Sequence, residues 1–335
     1  MSNMNLCQKC FNDKYIQGLI SNSGKVGTCD ICGESGQLIE LTEIIDFFDD
    51  LFQLLVQDPS SNRTASSLIQ EEWNIFSNEK TADAIVSQML IETSSPILNT
   101  DFVSFLPTIT DLDSIWDDIK RQVKTNSRFL VDASVFEDNY IQFDRILVKK
   151  GQRLYRARIT PKDVKRMKPK MMECPPADKA TPGRANPLGI PYLYLSKEVS
   201  TTFYEIRAGF LDKVGVGTFV LKKDLDIIDF DSDRSIVELY YNDSRTLADL
   251  IANKRVLRAI SSDLSKPLRR YDTELEYVPT QWICEYCKIK LGADGICFKS
   301  SLHKGGQNYV LFNPSDAKCT RAKEYEIKQI DIIGG

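Results

Sequence analysis

Between residues 41 and 55, Leu41, Ile44, Ile45, Phe48, Leu51, Phe52 and Leu55 recur at three- and four-residue spacing, with acidic residues between them. That period predicts a helix with one buried face. Similar patterns predict helices over 65–76, 82–91 and 115–125, punctuated by Pro59, Pro96 and Pro107. From about Gly151 the period changes. Alternation predicts strands at 153–159, 192–196, 216–221, 225–230, 295–300, 308–312 and 325–333. Helical stretches are expected at 198–209, 235–252 and 275–291. Strands and helices do not alternate regularly, so the fold class expected is α+β rather than a doubly wound sheet. Residues 1–35 hold few large apolar side chains, and so short a module needs a staple to fold. The expected organisation is therefore a small module over 1–35, a helical domain over 36–150 and a mixed-sheet domain over 151–335.

Composition changes this picture little. The chain has 335 residues, 42% hydrophobic and 27% charged, as in ordinary globular proteins. Its most apolar run, 44–56, is broken by Asp46, Asp49 and Asp50, whereas a membrane span needs ~20 predominantly apolar residues. No membrane association is expected. Cys7 and Cys10 sit where a secretory signal would need an apolar core, so no signal peptide is expected either. Charge is more informative. Residues 1–150 carry 12 Lys+Arg against 23 Asp+Glu, a net −11, and residues 151–335 carry 31 against 24, a net +7; the two sum to −4. The basic second half suits a phosphate-bearing ligand. The acidic first half disfavours nucleic acid as a partner.

Nine cysteines, an odd number, fit poorly with a disulfide framework. Four form two pairs, Cys7-x2-Cys10 and, after 18 residues, Cys29-x2-Cys32. This pattern points to a reducing, cytoplasmic compartment and to a tetrahedral Zn2+ site in a zinc knuckle. Gly33 suits the tight turn after the second pair. Four protein ligands leave no open position, so the zinc is expected to be structural. With three Lys against three Asp+Glu, residues 1–35 read as a scaffold or protein contact. Cys284 and Cys287 lie within a helical pattern and read as small residues on a packed face.

The second half holds the candidate chemistry. In the strand at 192–196, Leu193 and Leu195 are expected to face a core, with Tyr192, Tyr194 and Ser196 opposite. Ser196 is expected to cap the next helix. There Val199, Phe203, Ile206 and Phe210 form the apolar stripe, with Glu205 beside it. Arg156 and Arg158 share one face of an earlier strand, and a Gly183–Gly189 loop presents Arg184. Arginine forks, aromatic faces and one carboxylate are what a dinucleotide glycohydrolase needs. Arginine binds pyrophosphate bidentately, a tyrosine stacks nicotinamide, and a glutamate stabilises oxocarbenium charge. Singly, each residue is as well explained as a solvated side chain.

Together, the segments Leu154-Tyr-Arg-Ala-Arg158, Gly183-Arg-Ala-Asn-Pro187, Tyr192-Leu-Tyr-Leu-Ser196 and Tyr204-Glu-Ile206 resemble the RES domain, named for Arg, Glu and Ser. The resemblance continues through Tyr277–Trp282 and Asp294–Ser300 to Asn308-Tyr-Val-Leu-Phe312, spanning about 151–315. It implies an ADP-ribosyltransferase-like fold and a kinship with bacterial toxins that consume NAD+. Carried over, the first family arginine falls on Arg156, with Arg158 as the alternative. The second falls on Arg184, the tyrosine on Tyr194, the glutamate on Glu205 and the serine on Ser300, with Ser301 one residue away. The long Lys- and Met-rich stretch over 159–182 departs from the pattern and is expected to form a flap over the cleft. The first half resembles the HEPN-like helical region before some RES domains. Many HEPN proteins are RNases using Arg-x4–6-His, but the single histidine, His303, lies outside that region. The helical domain is therefore expected to be regulatory or structural, and His303 a mobile loop residue.

Glu274-Leu-Glu276 and Glu324-Tyr-Glu326 match the Glu-x-Glu of some transferases only at chance level. Neither a Rossmann glycine motif nor a P-loop is present. The function expected is NAD+ cleavage by a RES-type enzyme, with NAD+ as substrate and water, phosphate or a protein side chain as acceptor. Arg156, Arg158 and Arg184 are expected on the phosphates, Tyr194 on nicotinamide, Glu205 at the ribosyl cation and Ser300 beside it. A toxin–antitoxin or phage-defence setting follows, with an antitoxin protein or the N-terminal half as restraint; a homo-oligomer is left open. The alternative is a non-catalytic, nucleotide-binding zinc-ribbon interaction protein.

Overall fold

The structure is a computed structural model that describes residues 4–137, 141–232, 234–266 and 273–329. In chain order it begins β1 (Asn5–Cys7), α1 (Lys14–Asn22), β2 (Lys25–Thr28), β3 (Ser35–Glu40), α2 (Ile45–Gln53), β4 (Leu55–Gln57), α3 (Ala65–Trp73), α4 (Glu79–Glu92), β5 (Val103–Phe105) and α5 (Pro107–Thr110). It continues with α6 (Ile115–Thr125), α7 (Ser134–Glu137), β6 (Arg145–Val148), β7 (Arg153–Ile159), α8 (Pro169–Met172), β8 (Leu193–Ser196), α9 (Val199–Glu205), β9 (Lys213–Leu221) and β10 (Leu225–Asp229). It ends with α10 (Ile236–Asn242), α11 (Leu247–Ser265), α12 (Val278–Ile289), β11 (Gly295–Lys299), β12 (Gln307–Leu311) and β13 (Ala317–Glu326). The fold class is α+β. Among the described residues no helix is long and apolar enough to cross a membrane.

The chain forms two compact units, Met1–Ser114 with Asp233–Arg255, and Ile115–Ser232 with Val256–Gly335. This differs from cuts at 35/36 and 150/151. Leu6, Phe11 and Ile16 share one core with Phe48 and Phe76, so the cysteine module packs with the helices after it. Likewise, Trp116, Ile119 and Val123 of α6 pack with Ile283 and Cys284 of α12, and β6 pairs with β10.

In the first unit, β1, β3 and β2 form an antiparallel sheet, and β4 pairs with β5. Local signals set the helix starts: Asp13 accepts from Tyr15 N and Ile16 N, Thr64 from Ser67 N and Asn78 from Thr81 N. Asn74, at φ 49°, ends α3 at Trp73, short of the expected residue 76. The segment returning at α10 buries Ile236 and Val237, and Tyr240 Oη donates to Asp50 Oδ2 at 2.7 Å. Arg255 forks onto Asp113 at 2.8 and 2.7 Å and also pairs with Glu72, whose side chain is only 8% exposed. Arg255→Ala takes the shared cation away from both Asp113 and Glu72. The expected loss is about 3 kcal/mol, read as a lower urea midpoint.

The second unit is built on an eight-stranded sheet in the order β13-β9-β7-β8-β12-β11-β10-β6. All neighbours are antiparallel except β10 and β11. A single residue pair, Tyr155 with Ser196, joins β7 to β8, so the sheet is two ribbons meeting at one point. On one face Leu154, Leu193, Leu195 and Phe219 pack under Met167 and Met172 of the 159–182 stretch. On the other, Ile228, Ile296 and Val310 pack against α6, α12 and the end of α11, while Ala157, Val214 and Val216 receive Val199 and Phe203 of α9 and Ile206 just after it.

Some elements differ from expectation. The helix expected over 235–252 is two, α10 and α11, because Asp243 takes the Arg245 N–H and forks with its guanidinium between them. That pairing holds the Asp243 carboxyl down at about 2. The strand expected at 325–333 is β13, starting at Ala317, and residues from 330 lie outside the described residues.

Candidate functional site

Glu205 is the last residue of α9. The helix is seated by its apolar stripe, although Phe210, expected to belong to it, lies beyond the helix and is 63% exposed. Glu205 Oε1 accepts from Ser300 Oγ at 2.7 Å and Asn308 Nδ2 at 2.6 Å, and Oε2 faces Arg184 Nη2 at 3.4 Å. The side chains of Arg184 and Glu205 are 18% and 20% exposed, so this ion pair is largely shielded from water. Ser300 follows β11, and its Oγ accepts the N–H groups of Leu302 and His303 at 3.3 and 3.1 Å. Asn308 lies in β12 and its Oδ1 accepts from Ser196 Oγ at 2.7 Å. Ser196 therefore does not cap the following helix. Sheet register puts Tyr155, Ser196 and Asn308 in one row on one face, and Glu198 takes the cap position with no side-chain bond.

Arg184 is held by the turn around it. Tyr194 Oη donates to Asn186 Oδ1 at 2.8 Å and accepts from Ala185 N at 3.0 Å. A Cβ on Gly183 would lie 2.7 Å from both Tyr194 Oη and Asn186 Oδ1, so glycine permits this close approach. From α12, Gln281 Nε2 donates to the carbonyls of Gly183 and Asn186, and Thr280 Oγ1 to that of Arg184. Arg184 Nη1 donates to Leu264 O at 3.1 Å and Ser265 O at 2.8 Å, the last carbonyls of α11. Burial pushes the Tyr194 phenol well above its usual range, so it stays a neutral donor.

The structure thus gathers Arg184, Glu205 and Ser300, with Tyr194 joined through the turn. Arg156 and Arg158 are elsewhere. Their strand neighbours are Gly217 and Gly215, where a Cβ would strike Met172 and Met167, so both arginines project from the face opposite the row of Tyr155, Ser196 and Asn308. Arg156 Nη1 contacts Cys174 Sγ at 3.6 Å, and Arg158 Nη2 donates to Glu173 O at 2.6 Å. Burial, then the charge of Arg156, pulls Arg158 below its ordinary value. A cavity of about 560 Å³ opens near residues 173–175 on this face, over Leu193 and Phe219, rimmed by Lys222 and Lys318. The 159–182 stretch covers this reverse face.

Other candidates are also placed. Ser301 Oγ donates to Ser265 O, away from Glu205. His303 is anchored: Nδ1 lies 2.9 Å from Thr201 Oγ1, and its ring stacks on Tyr204 at 4.7 Å. Glu276 pairs with Lys124, and Glu324 accepts from Met167 N, so both Glu-x-Glu runs have structural partners. Cys284 and Cys287 are fully buried core residues, as a packed helix face requires. Sequence reasoning missed Asn308. An asparagine leading into the apolar run Tyr309-Val-Leu311 of a central strand was the available signal, since asparagine is poorly suited to strands.

In the first unit, the Sγ atoms of Cys7, Cys10, Cys29 and Cys32 all lie within 4.8 Å of one another. Cys7 is 3.4 Å from Cys32, and Cys10 is 3.6 Å from Cys29. Four thiolates around tetrahedral zinc at ~2.3 Å stand about 3.8 Å apart, so the donor set fits the metal. Gly33, at φ 73°, makes the expected turn and returns its N–H to Cys29 O. Burial raises the Cys29 thiol, but the N–H groups of Cys32 and Ile31 outweigh it and bring it down to about 7.

Fold and site together define an α+β domain with a shielded carboxylate wired to a serine, an asparagine and an arginine. The family model for the RES domain matches residues 153–331, and the chain belongs to the RES family. No curated protein matches the chain. Among solved structures, the M. tuberculosis MbcT–MbcA toxin–antitoxin complex is similar at 13% identity and TM-score 0.30, over 53% of this chain and 86% of that one.

Proposed function

We propose that the RES domain cleaves the nicotinamide–ribose bond of NAD+, with Glu205 as the residue that stabilises the ribosyl cation. The observation that carries this reading is the Glu205 carboxylate, shielded from water and held by Ser300, Asn308 and Arg184. A fixed, partly desolvated negative charge is what an oxocarbenium-like transition state calls for. The C1′–N bond breaks, its electron pair leaves with neutral nicotinamide, and the acceptor adds at C1′. With water as acceptor the products are ADP-ribose and a proton. Tyr194 offers the substrate its ring, because its hydroxyl is engaged in the turn. Arg156 and Arg158 are given no part in holding the pyrophosphate, because both stand on the sheet face opposite Asn308 and Glu205. The four cysteines hold a structural zinc. Such an activity would harm its host unless restrained, which points to an antitoxin protein or the N-terminal half as restraint.

The test is product identification from NAD+ with and without added phosphate. One nicotinamide per NAD+ consumed is expected, with ADP-ribose or its phosphorylated form naming the acceptor. Binding of NAD+ without release of nicotinamide would overturn the reading and leave a nucleotide-binding module.

A further inference from the structure

Glu205 has two oxygens, and the structure treats them differently. Oε1 accepts from both Ser300 Oγ and Asn308 Nδ2, whereas the described partner of Oε2 is Arg184 at 3.4 Å. We infer that Asn308, oriented by Ser196, is a positioning residue that pins Oε1 and thereby turns Oε2 toward the substrate ribose; this rests on the proposed NAD+ cleavage.

The hydrogen-bond arithmetic supports it. A serine hydroxyl has one proton and two lone pairs. Ser300 Oγ accepts from Leu302 N and His303 N, so its proton is left for Glu205 Oε1. An asparagine amide can in principle be turned either way. Here Ser196 Oγ donates to Oδ1, and the turned amide would set a carbonyl oxygen 2.6 Å from a carboxylate oxygen. The carboxylate, which only accepts, therefore selects the orientation that sends N–H to Glu205, and Ser196 Oγ then donates to Oδ1. Ser196, Asn308 and Ser300 are all buried, so water does not substitute for a missing donor. The loop after Ser300 is itself fastened to α9 by His303 on Thr201 and Tyr204, which carries the same order back to the helix holding Glu205.

Asn308→Ala and Asn308→Asp remove the donor, and Ser196→Ala removes the bond that holds Asn308 Oδ1 in place. Two readouts are needed. The first is the crystal structure of each variant, in which the Glu205 carboxylate is expected to turn, with Oε1 keeping only Ser300 and Oε2 leaving its place beside Arg184. The second is kinetics with NAD+: kcat falls about 10²-fold in Asn308→Ala while KM stays within about twofold. Should Asn308→Ala not fold, Ser196→Ala carries the test alone. An unmoved Glu205 carboxylate, or a raised KM at unchanged kcat, would overturn the inference. If wild-type protein releases no nicotinamide, the proposed reaction fails, and the carboxylate's position still decides the positioning role.

Discussion

Glu205→Gln is expected to lower nicotinamide release about 10³-fold while the protein stays folded. Glutamine keeps the volume and can still accept from Ser300 and Asn308 through one oxygen. It lacks the negative charge. A unit charge about 4 Å from a developing cation, at an effective dielectric constant of about 20, is worth about 4 kcal/mol. That corresponds to roughly three decades in rate. Stability should fall less, because the ion pair lost is long, at 3.4 Å, and Arg184 keeps its two carbonyl acceptors at the end of α11. Rate by nicotinamide release and stability by urea denaturation, measured on the same preparation, separate the two effects. A variant that retains wild-type turnover would remove Glu205 from the chemistry. Arg184→Ala is a poorer probe, because it also unmakes the bonds to Leu264 O and Ser265 O that dock the end of α11.

Loss of metal is expected to be the largest stability effect. Purified protein should contain one zinc per chain, and a strong chelator should unfold the cysteine module. Structural zinc contributes roughly 10–16 kcal/mol of apparent binding energy, against about 5–15 kcal/mol for an entire domain. Cys7, Cys10 and Cys29 are buried beside Leu6, Phe11 and Ile16, so four uncompensated thiols would disturb the core of the first unit. Chelation or Cys10→Ser should therefore expose residues 4–45 to proteolysis and lower the unfolding temperature. Metal-free protein with an unchanged unfolding profile would show that packing alone holds the module.

Much of the fold was legible from local period. The helical pattern over 115–125 matches α6, whose buried face is Trp116, Ile119 and Val123, and alternation located most strands of the large sheet. The short edge strand β6 was not legible, since four residues carry little periodicity. In the site, Arg184, Glu205 and Ser300 are legible through the motifs that carry them, and the fold brings the three together. The separation of Arg156 from them was not readable, although the alternation was. Leu154, Arg156 and Arg158 share a face, and so do Leu193 and Leu195. Which face α9 covers depends on the Tyr155–Ser196 pairing across 41 positions of chain, since 196 − 155 = 41, a long-range contact that local patterns do not encode. The Ser196–Asn308 bond was hidden for the same reason, and the polar position before a helix read instead as a cap.

The central claim is that the substrate meets the protein at Glu205. A crystal structure of Glu205→Gln soaked with NAD+ tests it most directly. The nicotinamide ribose should lie within hydrogen-bond distance of residue 205, beside Ser300. A dinucleotide seated on the reverse face over Leu193 and Phe219, with residue 205 untouched, would contradict it.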